Sequence, residues 1–565
     1  VPRFLVQGDT TEVVGKTLNY TIDTLSVTTI FEVNNQVVKT RQAQVITANI
    51  DSIRVTTSAA DSTQIKYYVR KPDGYFDGEM RSIPVYKKGV EETKGQFVSL
   101  NRDTTFTIRF DPTLGKVKVY AQADVLNILL EEIEHVYGYE YLCNEQAASK
   151  LKVLLLEKKI RTYLGQRFTH EADVKKLISK LEAAQRKEGG WGWWPESNVS
   201  PWISSHVAEA LIQSREAGYP VRFNSQAIID YNLYHLETFN RSEKIQALRL
   251  LKRLDAKVNY ASYIPYLTEV TKPSLYEQMQ WIELKQLNGL AYSTDTLLRT
   301  KHYTQFGGLY WGQESYNLVY SDITLTLTAY QILKRKGGHE AELAAIRQFL
   351  LEKRRGGFWR NTYESALILE TILPDLLNGE KMVRPARLTL QGKANTVVDK
   401  FPYEQELPPD EVLEVRKTGN LPVFLTAYQQ FWNPNPEKAE KDFVVSTSFE
   451  GKKSDRVSLE AGKPVALVVH VQVKKESEYV MIEVPIPAGC SYGEKGGWQP
   501  NEAHREYSRH KTSIFCNQLR QGNYQFTIHL LPRYKGIYTI NPAKAELMYF
   551  PVFFGRNETK VVNVK

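Results

Sequence analysis

Two changes of hydrophobic period divide this chain and constrain its fold more than any other feature. Over the first ~125 residues, runs such as 44–50 and 116–120 are rich in β-branched and aromatic residues with polar turns between them, which predicts strands. Pro72-Asp73-Gly74 is a strong turn signal in this region. From about Leu126 to Leu377 the spacing becomes helical. Leu151, Leu154, Leu155 and Ile160 fall near one helix face, and so do Ile323, Leu327 and Tyr330, between a cap at Ser321-Asp322 and a stop at Gly337-Gly338. After Pro385 a period of two returns: Leu467, Val469, Val471 and Val473 alternate with other residues, as do Tyr524, Phe526, Ile528 and Leu530. A helical block between β segments is most economically an insertion into one β domain.

Inside the helical block a short pattern recurs. Gly189-Gly190-Trp191-Gly192-Trp193-Trp194, Gly307-Gly308-Leu309-Tyr310-Trp311 and Gly356-Gly357-Phe358-Trp359 each precede a helix. Glycine lets the loop bend at positive φ and the aromatic fills the space between hairpins, so the repeat predicts helical hairpins closing into an α/α toroid. Inter-helix packing is the preferred role for these tryptophans over sugar stacking, because they recur with the fold repeat.

At 565 residues the chain has room for roughly four domains of ~150 residues. The net charge of +9 is small for that length, and its cations sit at helix ends such as Lys334-Arg335-Lys336 and Lys353-Arg354-Arg355, so they fit helix C-termini better than a nucleic-acid patch. No apolar run reaches the ~18 residues of a membrane-spanning helix. Three cysteines exclude a disulfide-dense scaffold; Cys490 and Cys516 either pair or stay free. No metal-ligand spacing, phosphate loop or triad signature is present, and no cofactor is expected. The chain starts Val1-Pro2-Arg3 with no signal-peptide pattern and is expected to belong to a longer protein.

Cys143-Asn144-Glu145-Gln146 sets a thiol three residues before a carboxamide. On a turn entering a helix, the Cys143 sulfur reaches the Gln146 carbonyl, and attack with loss of ammonia gives an internal thioester. The alternative is a small buried hydrophobe at a helix start. Glu145 either orients the ring or favours the helix N-terminus electrostatically, the second being preferred on physical grounds.

The segment 137–151 around this tetrapeptide resembles the thioester segment of the alpha-2-macroglobulin and complement family, especially its bacterial branch, with Cys143, Glu145 and Gln146 at the family's positions. The family's proline is missing here and Leu142 replaces its glycine before the cysteine. Residues 2–9, 479–489 and 545–556 resemble other parts of the same family, so the resemblance spans essentially the whole chain. It implies a multidomain β + α protein: an α/α toroid thioester domain inserted in a CUB-like β domain, flanked by macroglobulin-like β-sandwiches. The expected divisions are a sandwich at 1–68, CUB-like segments at 69–125 and 381–440, the toroid at 126–380 and a C-terminal sandwich at 441–565.

The resemblance further implies a protease-trapping inhibitor, not an enzyme, that acylates an attacking protease through a lysine amine or another nucleophile after cleavage of a bait segment. Tyr139 and Tyr141 are expected to shield the bond, with Met548-Tyr549 as a lock carried by the last domain. His302 is a candidate helper of acyl transfer, and His206 a weaker one. A periplasmic or cell-envelope location is implied, with membrane anchoring through an N-terminal part outside this chain. Two other readings stay open: a scaffold module without a thioester, and a glycan-processing toroid that needs two acids converging across its mouth.

Overall fold

The computed structural model describes every residue except 59–60, 101, 124, 141, 164–165, 269–272, 316, 318–319, 354–358, 379–385, 393–394, 410–411, 420–422, 451–455 and 496–499. Tyr141 and Gly356-Gly357-Phe358 therefore lie outside the described residues.

The chain begins in a β-sandwich. Leu5–Val6, Phe76–Tyr86, Ser62–Arg70, Leu25–Val33 and Gln36–Val45 form one sheet in that order. The expected boundary after residue 68 falls inside it, because Ser62–Arg70 pairs along its whole length with Phe76–Tyr86. Thr10–Leu18 pairs with Ala48–Thr56 in a second sheet. That sheet continues into the C-terminal unit, where Thr10 and Thr11 pair with Ile537 and Gly536 of strand Gly536–Ile540. Asp9 pins the junction: its carboxylate accepts the Val6 N–H at 2.8 Å and the Thr539 N–H at 2.7 Å.

Two four-stranded sheets follow. One is built from Val90–Leu100, Val117–Ala123, Tyr403–Leu407 and Val423–Asn433, the other from Thr104–Arg109, Arg387–Gln391, Thr396–Val398 and Val412–Thr418. Each contains strands from before and after the helices, so the helical block leaves and re-enters a single β unit. Leu388, Leu390, Val415, Leu425 and Ala427 form the core of that unit.

Between these strands run α1 (Val125–Gly138), α2 (Asn144–Tyr163), α3 (Glu171–Ala183), α4 (Pro201–Glu216), α5 (Ser225–His235), α6 (Arg241–Arg253), α7 (Tyr260–Thr268), α8 (Leu275–Leu287), α9 (Asp295–Arg299), α10 (Asp322–Lys336), α11 (Glu340–Glu352) and α12 (Thr362–Asn378). The even-numbered helices pack in sequence, α2 on α4, α4 on α6, α6 on α8, α8 on α10 and α10 on α12, and α12 returns to α2. Among the described residues, the tryptophans of the recurring loops share one bonding scheme. Trp191, Trp311 and Trp359 are buried, and their indole N–H groups donate to the carbonyls of Leu181, Leu297 and Leu350 on the preceding odd-numbered helix at 2.6–2.7 Å. Gly189 holds φ at +102°, and a Cβ there would lie 2.2 Å from the Ala227 carbonyl oxygen. Ser321 caps α10 in a reciprocal box with Thr324, and Gly337 ends it at φ +74°.

The C-terminal unit stacks the sheet Phe443–Phe449, Val465–Val473, Gly522–Pro532, Cys490–Tyr492 on the sheet His504–Tyr507, Lys511–Leu519, Ser477–Pro485, Lys544–Leu547, Phe550–Arg556. Cys490 and Cys516 stand in different sheets as free, buried thiols, each pushed up to about 12 by burial. The unit meets the helical block at the hairpin His302–Tyr303/Leu309–Tyr310. There Glu476 accepts the Gln305 N–H at 2.9 Å and pairs with Lys353 at 2.8 Å, while Phe306 packs edge-on to Phe550. No helix of the described residues is long and apolar enough to cross a membrane.

Burial raises the Asp9 carboxyl to about 7 against the two N–H groups that favour its charged form. Between pH ~4 and ~7 the folded chain keeps a proton that the unfolded chain has released, so stability falls as pH rises through that window. Denaturant unfolding across this range is expected to show that fall, and Asp9→Asn is expected to shrink it by up to about 4 kcal/mol.

Candidate functional site

Helix α2 starts at the tetrapeptide. The Cys143 carbonyl accepts the Ala147 N–H at 2.8 Å, which makes Cys143 the N-cap, and the Gln146 side-chain oxygen reaches back to the Cys143 N–H at 3.0 Å. This is half of a capping box, and it brings the Gln146 carboxamide over the cysteine. The loop after α3 clamps the same turn: the Asn144 N–H and side-chain amide donate to the carbonyls of Trp193 and Gly192, both at 2.9 Å. Cys143 is buried, and burial raises its thiol pKa; the Glu145 charge adds to this, against backbone N–H groups that favour the thiolate. A thiol held neutral here is stored, not spontaneously reactive.

Glu145 is buried as well. Its carboxyl accepts the Ser149 hydroxyl at 2.7 Å and the Thr362 hydroxyl of α12 at 3.2 Å, and burial raises its pKa against both bonds. Its structural role is thus a tie between α2 and α12 as well as a charge near a helix N-terminus. Ser149 lies 3.0 Å from Nε2 of His206 on α4. The Ser149 hydroxyl has one proton, which goes to Glu145, so the His206 Nε2–H is the donor in the second contact. Burial holds His206 well below the usual histidine range, and the ring is neutral.

The structure brings together Cys143, Glu145 and Gln146 and adds His206, Ser149 and Thr362. Tyr139, just before the turn, is 40% exposed, with its carbonyl bonded to the Lys150 ammonium. Aromatic surface comes from the tryptophan loop, for which inter-helix packing was the preferred role, and from the helices beside it. Trp193 meets Trp202 at 5.2 Å, Trp202 meets Tyr363 at 5.0 Å, and Tyr363 meets His206 at 4.9 Å. Met548 and Tyr549 sit on a hairpin turn at 41% and 64% exposure, where the Met548 N–H donates to the Tyr479 carbonyl and the Tyr549 ring packs on Tyr479. His302 is exposed on the hairpin that meets the C-terminal unit, beside Tyr310. The histidine joined to α2 is His206, and the available signal was the polar Ser149 one turn after Glu145, facing a neighbouring helix.

Two acids do converge inside the helical ring, but on a cation. Lys152, fully buried, bonds Glu209 of α4 at 3.1 Å and Glu370 of α12 at 3.3 Å. Its charge helps hold the Glu209 carboxyl down at about 2, against the desolvation that would raise it. Two carboxylates that converge on one buried lysine serve as its counter-ions, not as an acid–base pair flanking a glycosidic bond. Among the described residues no group of histidine, cysteine and acidic side chains is arranged to hold a metal ion.

Residues 440–551 match the family profile of the bacterial alpha-2-macroglobulin MG10 domain. That stretch of the C-terminal unit is thus similar to one domain of the bacterial alpha-2-macroglobulins. Among solved structures, trypsin-activated alpha-2-macroglobulin from Escherichia coli shares the fold: TM-score 0.52, 16% identity, with 100% of this chain and 43% of that chain covered. The chain thus spans less than half the length of that relative. Native E. coli alpha-2-macroglobulin from domain MG7 to the C-terminus aligns over 100% of this chain and 98% of that one, at TM-score 0.39 and 17% identity. Salmonella alpha-2-macroglobulin reacted with methylamine aligns at TM-score 0.39 and 18% identity, over 100% and 40%. No curated protein matches the chain by sequence.

Lys152→Met would leave the half-buried Glu209 and Glu370 without their shared cation. We expect a loss of about 1–3 kcal/mol from the helical block, measured by denaturant unfolding.

Proposed function

We propose that this chain stores an acyl group as a Cys143–Gln146 thioester and works within a bacterial protease-trapping inhibitor. The observation that carries the reading is the Gln146 carboxamide bonded back to a buried Cys143 at the start of α2. It is supported by an MG10 domain in the same chain. In this reading the ring of helices is an α/α toroid thioester domain, the β unit it interrupts is CUB-like, and the first and last units are macroglobulin-like sandwiches.

In the chemistry proposed, Cys143 Sγ bonds to Gln146 Cδ as the Cδ–Nε2 bond breaks, and the thiol proton leaves with ammonia. A lysine amine of an attacking protease then bonds to Cδ, the Sγ–Cδ bond breaks, and the proton lost by the amine returns the cysteine to a thiol. The event is a single turnover, which makes the protein an inhibitor and not an enzyme. Exclusion of water preserves the bond until domain movement opens it. Tyr139, Tyr141 and the Met548-Tyr549 turn are the proposed cover, with the lock closing when the last domain swings over α2. The solved relatives include proteins described as activated by trypsin and by porcine elastase and one reacted with methylamine, which suits protease partners and amine attack here. A periplasmic or envelope location belongs to the same proposal.

Intact mass with a thiol count tests it. The expected result is a mass lower than the sequence by one ammonia, and one new thiol after methylamine that Cys143→Ala abolishes. A mass equal to the plain sequence, with Cys143 already free and methylamine inert, would overturn it.

A further inference from the structure

A half-open cavity of about 240 Å³ lies among the helices of the ring, and α4, α6, α8, α10 and α12 all contribute to its wall. That is several times the ~30 Å³ share of one water. Its acids are already neutralised: Glu209 and Glu370 by Lys152, and Glu283 by Arg249 at 2.8 Å and Arg335 at 2.9 Å. Besides the ion-paired Glu283 Oε2, two buried acceptors on uncharged side chains of its wall are not satisfied. The Gln280 Oε1, on a side chain 1% exposed, has no hydrogen-bond partner among the described residues, although its amide nitrogen donates to Thr328. The His206 Nδ1, on a side chain 3% exposed, has none either, and the proton on Nε2 leaves Nδ1 a bare lone pair.

Unsatisfied acceptors this deeply buried are costly unless a donor reaches them. The occupant must therefore donate. A fully deprotonated anion offers no donor, and an ammonium finds the wall's carboxylates already ion-paired with Lys152, Arg249 and Arg335. A hydroxyl donates to Gln280 and His206 and accepts from Arg253 and Gln246, which also line the cavity. Trp202 and Tyr276 add apolar surface for the C–H face of a ring. We propose that this cavity binds a neutral pyranose sugar, with Gln280 and His206 accepting its hydroxyls and Trp202 packing on it. With the cavity's acids ion-paired, the site binds without cleaving.

The inference stands apart from the thioester, and Cys143→Ala protein is expected to bind sugar equally well. Titration calorimetry and saturation-transfer NMR on the full 565-residue chain would use glucose and N-acetylglucosamine, with spermidine and inorganic phosphate as probes of the other two ligand classes. We expect saturable one-to-one binding of at least one sugar, weakened at least tenfold by Gln280→Met. Should that variant fail to fold, Trp202→Leu is expected to give a similar loss. No sugar binding at millimolar concentration would overturn the proposal, leaving the cavity to water. So would binding that neither substitution alters, or Gln280-dependent binding of spermidine or phosphate in place of sugar.

Discussion

A charge buried at the centre of the helical ring organises what surrounds it. Lys152 projects from α2 into a place with no solvent, which is tolerable only because α4 and α12 each bring a carboxylate to it. These are the two helices on which α2 packs within the ring. Apolar contact between helices is permissive about rotation and slide, whereas an ion triad of this kind is not. Lys152 therefore fixes how α2 sits between its neighbours, and with it where the first turn of α2 presents Cys143 and Gln146.

The same logic runs one level out. Glu145, Ser149 and His206 tie the first turns of α2 to α4, and Thr362 ties them to α12. Fastened from both sides and below, with Trp193 and Gly192 gripping Asn144 from above, the turn has little freedom to open without its neighbours moving. A strained or reactive group is best kept on such a platform, because the energy to expose it must come from displaced domains and not from local fluctuation.

Much of this was legible in the sequence where signals are local. Helix and strand periods differ by nearly a factor of two, so the three-part division was clear. The glycine–aromatic loops announced the hairpin repeat because each indole performs the same bond. Cys143 to Gln146 spans one helical turn, which is why spacing alone predicted their meeting. What failed was non-local or ambiguous. Pro72-Asp73-Gly74 is the turn its residues predicted, with the Gly74 N–H bonded to the Lys71 carbonyl, but the expected boundary at 68/69 falls inside the hairpin it closes. His206 ranked below His302 because its partner lies 57 positions earlier on another helix, and no local pattern records that meeting. The convergence of Glu209 and Glu370 on Lys152 is hidden for the same reason, and so was the difference between paired acids that catalyse and paired acids that hold a cation.

The sheet shared by the first and last β units has a mechanical consequence. Thr10 and Thr11 lie beside Ile537 and Gly536, so the backbone that leaves the opening sandwich returns to it after passing through every other unit. The molecule is closed like a clasped bracelet, not strung like beads. Slack cannot be taken up at one linker alone: a swing of the last unit away from the helices must either release the two register pairs at the clasp or drag the first sandwich with it. Phe306 of the hairpin at 302–310 packs against the same hydrophobic core that holds Phe4, Leu5 and Val6 of the opening sandwich, so the clasp and that hairpin share one core.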